Sequence, residues 1–391
     1  MKYLLSAIGI LLFATVGVYR FPENKKAVFE TVSAIVPLSI EQVEQPDYKG
    51  YELIQKTDVN NNAVNMPLSG LAPENMVSIK KEDGAEVLKQ RGMEHNPPKN
   101  KLTASFLQIV FDNDIFDNTD YYYTNGARLE LVSPFAQRLP TSKLLPTFWN
   151  ADISFQGLSL VQNIYTPVNP DTKEIRINDR PFSAYLSLGH FRESYNYERG
   201  LRMWSEISIG VLGPASMGDY VQSSIHDIEP VGWQNQIEND IVFNYSFLIE
   251  KLLLSRKNIE MKVNANAHIG TIYDKAGGGL TFRFGRFKKL LENSVIAYRP
   301  NGRPQVSFWF FTKVNASLIG YDATLQGGMF NKSSIYIIDN KMVKRTVLNA
   351  SAGLSLFYRG FGIEIENVYV SPEFEGAYDF RYGRIKLVFG L

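Results

Sequence analysis

The densest concentration of chemically capable side chains lies between Phe111 and Gly126. Four Asp (Asp112, Asp114, Asp117, Asp120) and three Asn (Asn113, Asn118, Asn125) share that stretch. Carboxylate and amide oxygens in such number are the donors a hard cation such as calcium takes. They are also what a tight turn takes, because Asp, Asn and Gly satisfy local backbone groups and accept unusual dihedrals, so composition alone leaves both readings open. Far along the chain stands His226, in a stretch from Ser216 to Ile228 that could form a short helix with Val221, Ile225 and Ile228 on one face. An imidazole suits proton transfer near neutral pH; taken alone, a histidine in a loop is equally an ordinary solvated residue. His95, His190 and His268 lie in the N-terminal region, near a strand end and on a strand's polar parity, with no motif around them.

The elements that must position these groups are strands. In Ile259, Met261, Val263, Ala265, Ala267 and Ile269 every second residue is apolar, with Glu260, Lys262, Asn264, Asn266, His268 and Gly270 between them, the period of a strand with one greasy and one wet face. The pattern recurs from Val306 to Leu318, where Trp309 and Phe311 interrupt the polar face, from Leu348 to Leu356, and from Ile385 to Leu391. Soluble sandwiches and membrane barrels both alternate, but these runs last about 9 to 13 residues, the length of a tilted membrane strand rather than the ~5 or 6 of a soluble one. Tyr and Phe near strand ends, such as Tyr121 to Tyr123, Tyr245, Tyr358 and Tyr369, fit aromatic girdles. The expected fold is all-β: a transmembrane antiparallel β-barrel of roughly 12 strands with a short helix in an outer loop.

Bulk properties agree with export. The 391 residues carry 41 basic and 40 acidic side chains and no Cys, which gives a nucleic-acid partner no electrostatic support and needs no disulfides outside the cytoplasm. Lys2 precedes an apolar run from Leu4 to Val18 closed by Arg20, the layout of a secretory signal over residues 1–19, with a short uncleaved anchor as the alternative. Residues 20–100, rich in Pro, Lys and Glu and including Asn60-Asn61-Asn62, read as a largely irregular periplasmic leader. The barrel is expected over 101–391.

Asn113-Asp114, Thr119-Asp120 and Tyr123-Thr124-Asn125-Gly126 together resemble the N-terminal signature of the lipid A 3'-O-deacylase family, outer-membrane barrels of Gram-negative bacteria. Further blocks follow in family order: Gln162 to Pro167, Asp179-Arg180-Pro181 to Leu186, Gly210 to Pro214, Val221-Gln222 with His226, Gly232-Trp233 to Ile237, and Thr324 to Gly328. The resemblance implies a calcium-dependent esterase that removes 3'-linked acyl chains from lipid A in the outer leaflet, working as a monomer. It implies His226 as the base that activates water, Asn113 and Asp114 as metal or oxyanion contacts, and Thr124 as a hydroxyl near water or substrate. Lys173 and Glu229 are the nearest counterparts of the family's substrate-contacting Lys and Glu, in loops whose lengths differ from the family's. By parity Asn113 faces outward and Asp114 inward, so both serve one site only where the chain twists or bulges. Two other readings stand beside this one: a catalytically silent pore or structural barrel, and a phospholipid esterase, for which the sequence offers no convincing Ser–His pair.

Overall fold

A computed structural model describes residues 105–113, 121–168, 170, 174–225, 231–292, 294–297 and 306–391. The expectations for the signal segment and the leader lie outside them, as do those for Asp114, Lys173, His226 and Glu229. No helix among the described residues is long and apolar enough to cross a membrane, a statement that does not concern strands.

Twelve antiparallel strands close into a barrel, each paired with its chain neighbour and β1 (Phe106–Asn113) paired with β12 (Phe380–Gly390) across the seam. Between them run β2 (Tyr122–Val132), β3 (Ile153–Thr166), β4 (Ser183–Asn196), β5 (Leu201–Leu212), β6 (Asp240–Ser255), β7 (Ile259–Gly270), β8 (Tyr273–Arg286), β9 (Val306–Asp322), β10 (Thr346–Tyr358) and β11 (Phe361–Val370). Closure leaves no strand edge unpaired with a neighbouring strand, the condition for strands in hydrocarbon.

The alternation sorts as its period requires. Ile269, Phe308, Phe310, Val314, Leu318, Leu354 and Ile365 lie exposed on the outside, while Glu260, Lys262, Glu364 and Glu366 are buried inside. Inside, charges are paired: Arg128 with Glu130 and Glu206 at 2.6 and 2.5 Å, Arg202 with Glu193 and Glu250 at 2.6 Å each, Lys313 with Glu366 at 3.0 Å and Lys386 with Glu364 at 2.6 Å.

Two apolar clusters occupy the ends of the lumen. One, at the end where β1 meets β2, gathers Tyr122, Tyr123, Tyr165, Ile237, Leu325, Phe374 and Phe380. Tyr122 and Tyr123 therefore turn into the barrel mouth instead of joining an outer girdle, as their sequence position had suggested; Tyr358, 45% exposed, stays outside. The other cluster closes the opposite end and explains the interruption in β9. Trp309 and Phe311 point inward, Trp309 stacking on Phe357 at 5.1 Å and 7°, with Leu290, Leu291 and Val295 from the β8–β9 connection packed against them. Between the ends lies a cavity of about 320 Å³, lined by Tyr165, Tyr273, His268 and Lys275 among others.

Candidate functional site

Asn113 ends β1 and stands opposite Asn125 of β2. Against β3, the register of β2 slips between Tyr123, paired with Tyr165, and Asn125, paired with Ile164. Thr124 is the extra residue of that β-bulge, and a bulge re-aims side chains next to it. Tyr123 faces the lumen, where its hydroxyl lies 3.0 Å from Asp112 Oδ2 and 3.2 Å from Asn163 Oδ1. Thr124 and Asn125 then both face outward on the side of Asn113. Gly126 faces inward without a side chain, because a Cβ there would sit 1.8 Å from the Tyr123 hydroxyl. Tyr122, at the start of the bulged strand, has φ of 70°, a left-handed conformation that costs a bulky residue about 1–2 kcal/mol. Asp112, buried, accepts two bonds of 2.7 Å from Arg384 of β12, which fixes the floor under the bulge.

The outward patch is a set of amides and hydroxyls. Asn113 Nδ2 reaches the Thr124 carbonyl at 3.4 Å, and the Thr124 and Thr166 hydroxyls are 2.7 Å apart. Asn125 is 6% exposed, and among the described residues its Nδ2 meets no acceptor. Asn125 and Thr166 were not singled out from the sequence; the Tyr-Thr-Asn-Gly block contained the first, and only the pairing of β2 with β3 brings in the second.

A short helix, α1 (Gly218–Ile225), lies against the outer wall beside this patch, where the sequence placed one. Its first residue explains its fit, since a Cβ on Gly218 would sit 2.3 Å from Ala184 Cβ of β4. Val221 packs on Ile164, Phe182, Ala184 and Trp233, with the Phe182 and Trp233 rings 5.0 Å apart. Gln162 Nε2 donates to the Ser216 carbonyl at 2.7 Å and Trp233 Nε1 to Gln222 Oε1 at 2.6 Å. His226, the residue after the helix in sequence, and Asp114, the residue after Asn113, lie outside the described residues. Of the residues singled out, the structure brings Asn113 and Thr124 together. Among the described residues there is no group of three His, Cys, Asp or Glu side chains that could hold a metal, but the patch is made of the oxygen donors a hard cation accepts.

Other family-like blocks turn out to be structural. Arg180, fully buried, donates to Thr324 Oγ1 at 2.7 Å, pairs with Glu373 and lies 4.2 Å from the Tyr165 ring centre. Burial opposes its charge, but the Glu373 and Asp322 carboxylates outweigh this and hold its pKa above the ordinary value. Asp179, Arg180 and Thr324, the last within α2 (Ala323–Gln326), thereby tie the loops after β3, β9 and β11 together at the end that carries the patch. His268 has a hydroxyl partner, Ser246 at 2.9 Å, but that pair faces the lumen, as His268's parity predicted.

Comparison with known proteins agrees with the barrel fold. No curated protein sequence matches. Among solved structures, the chain is similar to LpxR from Salmonella typhimurium, with 22% identity and a TM-score of 0.59 over 73% of this chain and 99% of that one. The KdgM porin (8% identity, TM-score 0.35, 73% and 99% covered) and an outer membrane channel from Pseudomonas putida F1 (8%, 0.38, 76% and 98%) are much looser likenesses. The model of the family described as outer membrane protein LpxR matches residues 90–391. Residues 90–391 therefore place this chain in the LpxR family of Gram-negative outer-membrane proteins, the lipid A 3'-O-deacylases whose motif blocks it resembles.

Proposed function

We propose that the chain hydrolyses 3'-linked acyl esters of lipid A in the outer leaflet. The observation that carries this reading is the bulge at Thr124, which turns a row of amides and hydroxyls to the lipid side of the wall, beneath a helix that leads directly into His226. A lipid substrate then needs no passage into the lumen. In the proposed reaction His226, neutral, takes a proton from water as the water oxygen bonds to the ester carbonyl carbon. The tetrahedral intermediate expels the sugar- or hydroxyacyl-side oxygen, which recovers the proton as the C–O bond breaks. Amide donors near the carbonyl oxygen, Asn113 foremost, lower the cost of its charge. Thr124, held by Thr166, orients water or ester. Asn113 and Asp114 are the residues proposed to hold calcium, which when bound supplies positive charge to the developing oxyanion. Lys173 and Glu229 are proposed to contact the lipid's polar groups.

The silent-pore alternative finds little support in a lumen closed by Trp309, Phe311 and Phe357 at one end and crossed by paired charges. A phospholipid esterase built on Ser246 and His268 would have its pair on the wrong side of the wall for a bilayer lipid. The test is mass spectrometry of lipid A from a Gram-negative host expressing the chain. Loss of the 3' acyl unit that disappears with His226→Ala and with chelation of calcium is the expected result. Unchanged lipid A despite a folded barrel would overturn the reading.

A further inference from the structure

Near the end of the barrel opposite the patch, the outer wall breaks the lipid-facing rule. Register places Gln156 opposite Arg192, and Leu158, His190, Ile207 and Tyr245 in one outward row across β3 to β6. His190 and Arg192 are polar on a face that elsewhere shows Leu188, Ile209 and Phe243 to the surroundings. The β2–β3 connection covers them with two 3-10 turns, Pro134–Arg138 and Pro140–Leu144. Thr141 Oγ1 lies 2.6 Å from His190 Nδ1, Arg192 Nη1 donates to the Leu145 carbonyl at 2.6 Å, and the Tyr245 hydroxyl donates to the Leu144 carbonyl at 3.2 Å. Ala136 and Leu145 are buried, whereas Phe135, Leu144 and Trp149 are 58%, 57% and 99% exposed.

This strap has its polarity inverted relative to a helix on a soluble core: hydrogen bonds underneath, large apolar side chains outside. That arrangement costs apolar hydration in water and suits a segment held between protein and lipid. Arg138 ends the first turn and Lys143 stands next to last in the second, both exposed and close in sequence to those apolar groups. Long basic side chains can lay their stems on hydrocarbon and reach headgroup phosphates. The tight turns at this end, β4 to β5, β6 to β7 and β10 to β11, mark it as periplasmic, so the leaflet it meets is the inner one.

We propose that the strap, residues 133–152, binds anionic glycerophospholipid of the inner leaflet. Phe135, Leu144 and Trp149 enter the acyl boundary, continuous with the apolar belt of the barrel, and Arg138 and Lys143 hold phosphates. The inference does not rest on the deacylase reading. Its test places a benzophenone photo-crosslinker at position 149 of the full chain, in nanodiscs of phosphatidylethanolamine with a minor share of phosphatidylglycerol. Irradiation is expected to give lipid adducts enriched about fivefold or more in phosphatidylglycerol over its mole fraction. Arg138→Glu with Lys143→Glu should abolish the enrichment while leaving the heat-modifiable migration of the folded barrel unchanged. Adducts in proportion to mole fraction in both proteins, or crosslinks to the chain's own residues 21–96 in place of lipid, would overturn the proposal.

Discussion

Asn125 presents a buried amide donor that meets no acceptor among the described residues, and such a group costs about 1–3 kcal/mol. A fold keeps such a cost where the donor has work outside folding. Asn125→Leu, close in shape, is expected to leave the barrel's thermal midpoint unchanged or raised while lowering deacylation at least about tenfold; heat-modifiability gels read the first and lipid A mass spectrometry the second. Thr124→Val should lose the bond to Thr166, about 1 kcal/mol, and reduce activity, with Thr124→Ser restoring much of it. Asn113 and Thr124 could be named from the sequence because they stand inside an ordered block of residue types. Thr166 could not, because its place beside Thr124 comes from a strand pairing some forty residues apart.

At the scale of elements, α1 is set by a contact that allows no side chain. Gly218→Ala would press its new Cβ against Ala184 and lift the helix that precedes His226, the proposed base, in sequence. Displacement of a catalytic group by about 1 Å can cost roughly 100-fold, so the expected outcome is a large loss of activity in a barrel whose folding in the outer membrane is normal. Period-two alternation made the strands legible, because a wall between lipid and lumen imposes that period along every strand. The break at Trp309 and Phe311 showed in the sequence, but the causes of the failures did not. Trp309 and Phe311 violate it because a loop folds back into the lumen against them. His190 and Arg192 violate it because a strap lies outside them. Tyr123 left the outer girdle because a bulge adds one residue and shifts the parity, and Tyr122 because its left-handed backbone, φ 70°, breaks the alternation there. Each exception is decided by packing between distant segments, to which a local period is blind.

For the whole molecule, the seam between β1 and β12 joins the two ends of the sheet and also supports the site. Arg384→Met would leave Asp112 buried and uncompensated, a loss of about 3–5 kcal/mol, and would loosen the Tyr123 contact beneath the bulge; Asp112→Asn in the same chain should recover much of the stability, as read from the unfolding midpoint. The apolar cluster that closes the lumen predicts no steady ion conductance when the purified barrel is inserted into a planar bilayer, in contrast to a porin. The outward aim of Thr124 and Asn125 has a kinetic consequence. On the proposed reading the wall takes its ester sideways from the leaflet and meets substrate in two dimensions, so turnover should follow the mole fraction of lipid A in the membrane or micelle, not its concentration in the tube. Adding inert lipid at constant lipid A would then slow the reaction, and diluting the whole suspension with buffer would not.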